Sequence, residues 1–317
     1  MSTRNAQAVK AVEWTLESPG RLNRSVMALH SPTTDEILVR TVLGAVSPGR
    51  ERALLHGVCA SVAENAYPHQ PGYLNVVTIV DAPDRTLIGD RGIATLGHRD
   101  LALIPYKHFV RIPSGVADEV ALLGVLAADA SHAVDIASVD SHEDCLVLGG
   151  GILGVLTAWE LCFRTKGAIR VVESNPARRE RIARIAFPRR VAISDEPGRY
   201  RFHTTFDCAN SASAFALAQS ATRSKGSIVV VADGCQETYT LGPDFFRKGL
   251  YLGKADSSSE LRTFLDEFFA RGLDYETLVA AAFEETLRFD EFPQAYLKLV
   301  LAPASERSGL VPRVTYD

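Results

Sequence analysis

The sequence predicts an α/β protein in two parts: a β-rich amino-terminal region and a doubly wound parallel sheet with helices on both faces. Three observations carry that prediction. Residues from Ala8 to about Pro113 read as short strands and turns. From Asp118 onward, helical stretches alternate with short apolar strands, the order that specifies a parallel sheet. Residues 145–154 read Cys-Leu-Val-Leu-Gly-Gly-Gly-Ile-Leu-Gly, an apolar strand running into a G-x-G-x-x-G turn.

Each element has its own signal. Glu36 to Val42 alternates as a half-buried strand does, and Asn75 to Val80 is rich in β-branched residues. Gly89-Asp90-Arg91-Gly92 is a turn between strands. Helix character runs from Asp118 to Ala137 and leads into the glycine turn, whose apolar continuation Val155 to Leu161 suits the first turns of a helix. Ala168 to Val172 is a strand ending on Glu173, followed by a helix over 176–186. Strands at Val191 to Ile193, Thr205 to Cys208, Ser227 to Ala232 and Gly249 to Gly253 alternate with helices over 211–224 and 258–271. A helix over Phe292 to Leu301 and a strand over Leu310 to Tyr316 close the chain. Gly309 to Arg313 is similar to a protease-site linker, but Val314 to Asp317 continues strand-like, so the segment is read as part of the fold. The division expected is 1–115, 116–274 and a return over 275–317.

Composition narrows the function. At 317 residues, 46% apolar and 23% charged, the chain is long enough for two well-buried domains. A net charge of −4 gives no reason to expect nucleic acid or a membrane surface as partner. No apolar run approaches the length that spans a bilayer, and the amino terminus lacks a signal-peptide core. Five cysteines show no C-x-x-C pair and several sit in apolar runs, which points to free thiols and the cytoplasm.

The glycine turn carries the clearest chemistry. Gly149 permits a tight turn, Gly151 lets the backbone approach a pyrophosphate, and Gly154 lets the helix pack closely on its strand. The helix start at Ile152 and Leu153 offers free N–H groups and a partial positive charge to phosphates. Glu173, with Ser174 beside it, lies where an acid accepts hydrogen bonds from the adenosine ribose. A carboxylate there repels a 2′-phosphate, so NAD(H) is preferred. Arg178 and Arg179 follow closely, and either form the solvated face of their helix or swing back to accept NADP(H).

These pieces resemble the medium-chain dehydrogenase/reductase superfamily over nearly the whole chain. Leu38-Val39-Arg40, Pro71-Gly72-Tyr73, Gly89-Asp90-Arg91, Leu103-Ile104-Pro105, Arg111-Ile112-Pro113 and Cys145 to Gly149 match its short motifs in order. Ser47-Pro48-Gly49-Arg50-Glu51-Arg52-Ala53-Leu54 is similar to the version found in the branch around bacteriochlorophyllide dehydrogenase and related biosynthetic oxidoreductases. The resemblance implies a GroES-like catalytic domain at 1–115 and 275–317, and a Rossmann cofactor domain at 116–274. It also departs from the zinc members. Ser47 takes the first ligand position, Tyr73-Leu74 replace the His-Glu pair, and the third position near Val125 is aliphatic. No cysteine falls between Leu87 and Arg111, so the structural zinc lobe is missing as well. Hydroxyl and aliphatic groups do not replace imidazole and thiolate, and no metal is expected.

Without a Lewis acid, side chains must manage the proton that accompanies hydride transfer. The resemblance places Tyr73 and His98 toward the interdomain cleft; each is either a proton donor or, respectively, a packed aromatic and a surface histidine. Glu51 and Arg50 sit at a helix start beneath the former metal position. Asp129 and His132 lie where relatives contact the nicotinamide. The catalytic candidates are therefore Tyr73, His98, Asp129 and Glu51, with Ser47, Arg50 and His132 as substrate contacts. His69, Lys107 and His108 are treated as surface. Ligands of open parallel sheets sit beyond the carboxyl ends of strands, which singles out Cys208-Ala209-Asn210 and Ala232-Asp233 as further cofactor contacts. The resemblance further implies a homodimer joined through the edge strand at 248–254. The expected function is zinc-independent, NAD(P)(H)-dependent hydride transfer on a small or medium organic, biosynthetic substrate. The rivals are an NADPH quinone or enoyl reductase, and a catalytically silent NAD(H)-binding sensor or partner subunit.

Overall fold

The computed structural model describes residues 9–58, 67–232, 237–255, 261–302 and 309–316. Asp233, expected at the cofactor, lies outside the described residues, as do Cys59 and Cys235. The chain opens with a long hairpin, β1 (Val9–Ser18) and β2 (Arg21–Leu29), turned at Gly20. Next come β3 (Glu36–Ala45), α1 (Pro48–His56), β4 (Leu74–Asp81), β5 (Arg91–Ile93), β6 (Leu101–Pro105) and β7 (Val110–Arg111). β3 organises this region. Its first half pairs with β6 and its last three residues with the chain's closing strand, while β4 occupies the other edge. Ile37, Leu38 and Val39 are buried, with Arg40 and Val42 turned to solvent.

α1 is a helix that strand patterning alone does not announce. Pro48 pre-sets its first turn, and Gly57 ends it at φ +70. α2 (Asp118–Ile136) then crosses between the two sheets and is buried along its length from Ala121 to Ala128. Gly124 allows the later helix α7 (Leu261–Ala270) to come close: a Cβ there would stand 2.7 Å from Leu265.

The second region follows: β8 (Cys145–Leu148), α3 (Ile152–Arg164), β9 (Ile169–Val172), α4 (Pro176–Ile182), β10 (Val191–Ser194) and β11 (Phe202–Asp207). It continues through α5 (Ala212–Ala221), β12 (Thr222–Val230), α6 (Pro243–Lys248), β13 (Tyr251–Lys254) and α7 (Leu261–Ala270). All six strands are parallel, in the order β10-β9-β8-β11-β12-β13. Two three-strand halves diverge from the β8/β11 boundary, the topological switch point at which such sheets bind ligands. β8 is buried on both faces, as its unbroken apolar run requires. Each fully buried aliphatic or aromatic side chain of this core contributes about 1.5–3 kcal/mol.

The residue pattern predicts a helix over 211–224 before β12, whereas α5 stops at Ala221. Thr222 is fully buried and its hydroxyl lies 2.7 Å from both Thr205 Oγ1 and Ala218 O, which holds it in the strand. Likewise α4 ends at Ile182, short of 186.

The chain returns through α8 (Glu276–Ala282), β14 (Thr286–Arg288), α9 (Phe292–Leu301) and β15 (Arg313–Thr315). Leu310, Val311 and Val314 are buried, and β15 pairs with β3, so the linker-like segment is integral to the fold. Among the described residues, no helix is long and apolar enough to cross a membrane.

Candidate active site

The glycine turn at the end of β8 is built by steric exclusion. Gly149 adopts φ +94, and a Cβ there would press at 3.0 Å on the backbone of Cys208 and Ala209. At Gly154 a Cβ would stand 1.9 Å from the Gly149 carbonyl oxygen, so only glycine lets α3 approach. Gly151 is the reverse case: nothing lies within 4 Å of the equivalent point, and its outer face is open. No side chain caps α3, whose first turn carries Ile152, buried, and Leu153, half-buried. Its unpaired N–H groups beside an open backbone fit a pyrophosphate.

Glu173 is buried at the end of β9 and its carboxylate faces inward. Oε2 accepts from Gly150 N–H at 2.8 Å and from Arg178 Nη1 at 3.1 Å; Oε1 accepts from Asn175 N–H at 2.7 Å. The acid thus ties the second strand to the glycine turn. Arg178 and Arg179 do not form a solvated face. Arg178 pairs with Glu173, and Arg179 donates at 2.8 Å to the carbonyls of Glu173 and of exposed Ser174. Both arginines therefore border the end of β9 beside the glycine turn.

Beyond β11, Ala209 N–H donates to Asp207 Oδ1 at 3.0 Å, and Asn210 follows in the left-handed region at φ +57. A Cβ on Gly49 would come within 3.6 Å of Asn210 Nδ2. The start of α1 and the end of β11 meet at that point, joining catalytic region to cofactor cradle. Cys208 lies 3.8 Å from Thr157 Oγ1, and burial pushes its thiol pKa up. Ala232 is buried, its N–H on the Asp207 carbonyl at 3.3 Å.

A cavity of about 910 Å³ opens on the catalytic side, with Arg50, Tyr73, Val125 and Asp129 on its wall. Tyr73 is the cavity-wall residue with a phenol. The Arg50 guanidinium stands 5.1 Å from the ring centroid, and the Ser47 hydroxyl hydrogen-bonds the phenol. Burial first, and then the Asp129 charge, raise the Tyr73 pKa well above its ordinary value. Ser47 itself is buried behind the phenol, so it acts on the cavity through Tyr73. His132 stands on α2 beyond Asp129 and is not part of the cavity wall.

Two expected catalytic residues are corrected. Glu51 and His98 are fully buried and face each other, Oε2 to Nε2, at 2.9 Å. The imidazole packs 4.6 Å from Phe292 and 5.8 Å from Tyr296. Gly72 makes room for it, since a Cβ there would meet the ring at 2.7 Å. The ring is fully buried and is not part of the cavity wall. Glu51 Oε1 accepts the Ser47 N–H at 2.8 Å, so the pair anchors the start of α1 under the cavity.

The reading of His69 as surface is corrected too. It lines the cavity, as do Gln70 and the Glu13–Arg99 ion pair, 3.0 Å long. Local sequence gave no signal for these groups. They converge because β1 bridges Leu16 to His69 and Glu13 to Arg99. Lys107 and His108 are exposed, as expected.

The donor set does not suit zinc. Ser47 is engaged with Tyr73, Leu74 is fully buried in the core, and Val125 offers no lone pair. Among the described residues no cluster of three or more His, Cys, Asp or Glu has ligating geometry.

The fold, a β-rich region beside a six-stranded parallel Rossmann-type sheet, is shared with solved dehydrogenases. No protein-family model matches the chain. It is 29% identical over 180 residues to 2-desacetyl-2-hydroxyethyl bacteriochlorophyllide A dehydrogenase of Rhodobacter capsulatus, a stretch covering 52% of this chain and 56% of that one. The match thus spans little more than half of the curated relative. Among solved structures, a zinc-binding-type dehydrogenase of Sinorhizobium meliloti bound to NADP superposes with a TM-score of 0.79 at 17% identity, covering 97% of this chain and 100% of the other. 2R,3R-butanediol dehydrogenase of Bacillus subtilis gives 0.77 at 13%, with the same coverage. An alcohol dehydrogenase of Escherichia coli CFT073 complexed with NADH gives 0.77 at 16%, covering 97% and 99%.

Proposed function

We propose that this chain is an NAD(P)(H)-dependent oxidoreductase of the medium-chain type. It moves a hydride to or from a small or medium-sized organic substrate, an alcohol/carbonyl pair or a conjugated double bond, without zinc. The observation that carries the reading is the junction of two sites. Gly49, next in sequence to the cavity-wall residue Arg50, stands beside Asn210 at the end of β11, so the open glycine turn and a cavity of about 910 Å³ with mixed polar and apolar lining belong to adjoining segments. A volume of that order suits a substrate of drug-like size, consistent with a biosynthetic intermediate.

Bound nicotinamide supplies the hydride chemistry; the chain supplies position and hydrogen bonds. Gly149, Gly151, Gly154 and the α3 start hold the pyrophosphate, while Cys208 to Asn210 and Ala232 border the path to the cleft. Tyr73, kept protonated by its surroundings, donates a hydrogen bond to the substrate oxygen. Ser47 orients the phenol, and Arg50 holds the ring from above. Glu173 supports a preference for NAD(H), because its charge opposes a 2′-phosphate. Arg178 beside it supports a second reading, an NADPH-dependent quinone or enoyl reductase.

Three further features complete the proposal. The partner is a small molecule, neither nucleic acid nor membrane. β13 is an edge strand with Tyr251 and Leu252 exposed, which supports a homodimer joined there. The free thiols Cys145, Cys162 and Cys208 support a cytoplasmic setting.

The test is a fluorescence titration of the purified chain with NADH and NADPH, followed by a screen of alcohols, ketones and quinones for cofactor turnover. Binding with turnover is expected. Binding with every candidate left unconsumed favours a silent sensor, and no binding at all removes the reading.

A further inference from the structure

We propose that His69 is the group that exchanges the proton with the substrate oxygen during hydride transfer, a role resting on the oxidoreductase reading above. The residue is held in place rather than carried on a swinging loop. Its N–H donates to the Leu16 carbonyl at 2.8 Å and its own carbonyl accepts the Leu16 N–H at 2.7 Å, locking it to β1. The half-buried imidazole lines the cavity that Tyr73 and Asp129 also face.

Apart from Asp129, the other titratable groups around that cavity are committed elsewhere. Glu51 and His98 are sealed from it. Tyr73 retains its phenolic proton, because burial and Asp129 both oppose ionisation. Arg50 and Arg99 do not give up protons. Glu13 is held by Arg99 at 3.0 Å, Gln70 at 2.7 Å and Ser25 at 3.1 Å. The titratable and charged groups that line the cavity with His69 are Arg50 from α1, the Glu13–Arg99 pair from β1 and the loop before β6, Tyr73, and Asp129 from α2. Burial, and then the Arg50 charge, lower the imidazole pKa, so the ring is neutral and an acceptor at pH 7.

In the oxidation direction the substrate C–H and O–H bonds break and the carbonyl π bond forms. The hydride leaves with its electron pair for the oxidised nicotinamide. The hydroxyl proton passes to the neutral imidazole and from there to solvent. Reduction is the exact reverse.

The full chain with NAD⁺ is assayed against 2,3-butanediol, cyclohexanol and 1-indanol between about pH 5 and pH 8, the range in which histidine titrates. Wild-type kcat/KM should rise with pH through one inflection and level off. His69→Gln should lower the plateau by about 10²–10⁴, lose the inflection and regain part of the rate with added imidazole, with NADH binding unchanged. A His69→Gln enzyme that keeps the wild-type profile overturns the proposal. As a second variant, Arg50→Met removes the cation that lowers the imidazole pKa and should move the inflection upward; an inflection that stays in place also overturns it. A wild-type chain that binds NADH yet turns over none of the alcohols, ketones and quinones of the wider screen overturns the oxidoreductase reading itself, and this role with it.

Discussion

Glu51 Oε2 and His98 Nε2 lie 2.9 Å apart with neither side chain exposed, and Glu51 Oε1 holds the Ser47 N–H at 2.8 Å. This pair is the internal strut of the catalytic region, linking α1 to the Gly97-His98 loop and to α9 through Phe292 and Tyr296. Removing one partner leaves the other buried and uncompensated. His98→Ala is expected to lower unfolding free energy by roughly 3–5 kcal/mol, seen as a lower urea midpoint. An unchanged midpoint with lost turnover would instead return His98 to the chemistry.

Gly154 and Gly151 separate folding from binding. A Cβ on Gly154 would meet the Gly149 carbonyl oxygen at 1.9 Å, and backbone cannot yield as a flexible side chain does. Gly154→Ala is therefore expected to cost about 1–3 kcal/mol of stability and to weaken NADH binding together. Gly151→Ala meets nothing within 4 Å. Its melting temperature should match wild type while NADH affinity falls, because the new methyl stands where the pyrophosphate approaches. Equal NADH affinity in Gly151→Ala and wild type would move the cofactor away from the turn.

The Rossmann half was legible because its signals are local. A buried strand, three glycines, a helix and a second strand fall within about thirty residues, and the structure reproduces them as β8, α3 and β9. The cavity was only half legible. Tyr73 and Asp129 announced themselves by occupying positions where the family pattern has other residues. His69, Glu13 and Arg99 did not, because they converge through the β1 bridges, contacts between residues more than fifty positions apart. His98 misled for a related reason. Its ring is enclosed by Gly72, Phe292 and Tyr296, and the last two come from the opposite end of the chain.

Cofactor choice turns on a pair rather than on one acid. Glu173 and Arg178 are 3.1 Å apart and largely buried, so the charge met by a 2′-phosphate is their sum. Glu173→Gln keeps an acceptor for the Gly150 N–H, removes the negative charge and leaves the Arg178 guanidinium uncancelled. The ratio of NADPH to NADH dissociation constants should fall by about tenfold, some 1.4 kcal/mol. Fluorescence titration with both cofactors measures it, and a ratio left unchanged would show that the 2′ position never approaches this pair.

Asp207 gives stability a pH dependence of unusual sign. Its carboxyl is fully buried at the end of β11, with Oδ1 accepting the Ala209 N–H at 3.0 Å. Burial raises its pKa above the ordinary 3.8. The folded state therefore binds more protons than the unfolded state between the ordinary value and the raised one. This residue's contribution is present in full below the unfolded pKa and is lost as pH rises through the folded pKa. Asp207→Asn keeps the acceptor for Ala209 and removes the ionisation. Its melting temperature should exceed wild type at pH 7, by roughly 2–4 °C for each kcal/mol relieved. The gap should close as pH falls below the ordinary carboxyl range. Calorimetry of both proteins across that interval checks the sign: a gap that widens toward acid would mean that the carboxylate is stabilised, not penalised, in the fold.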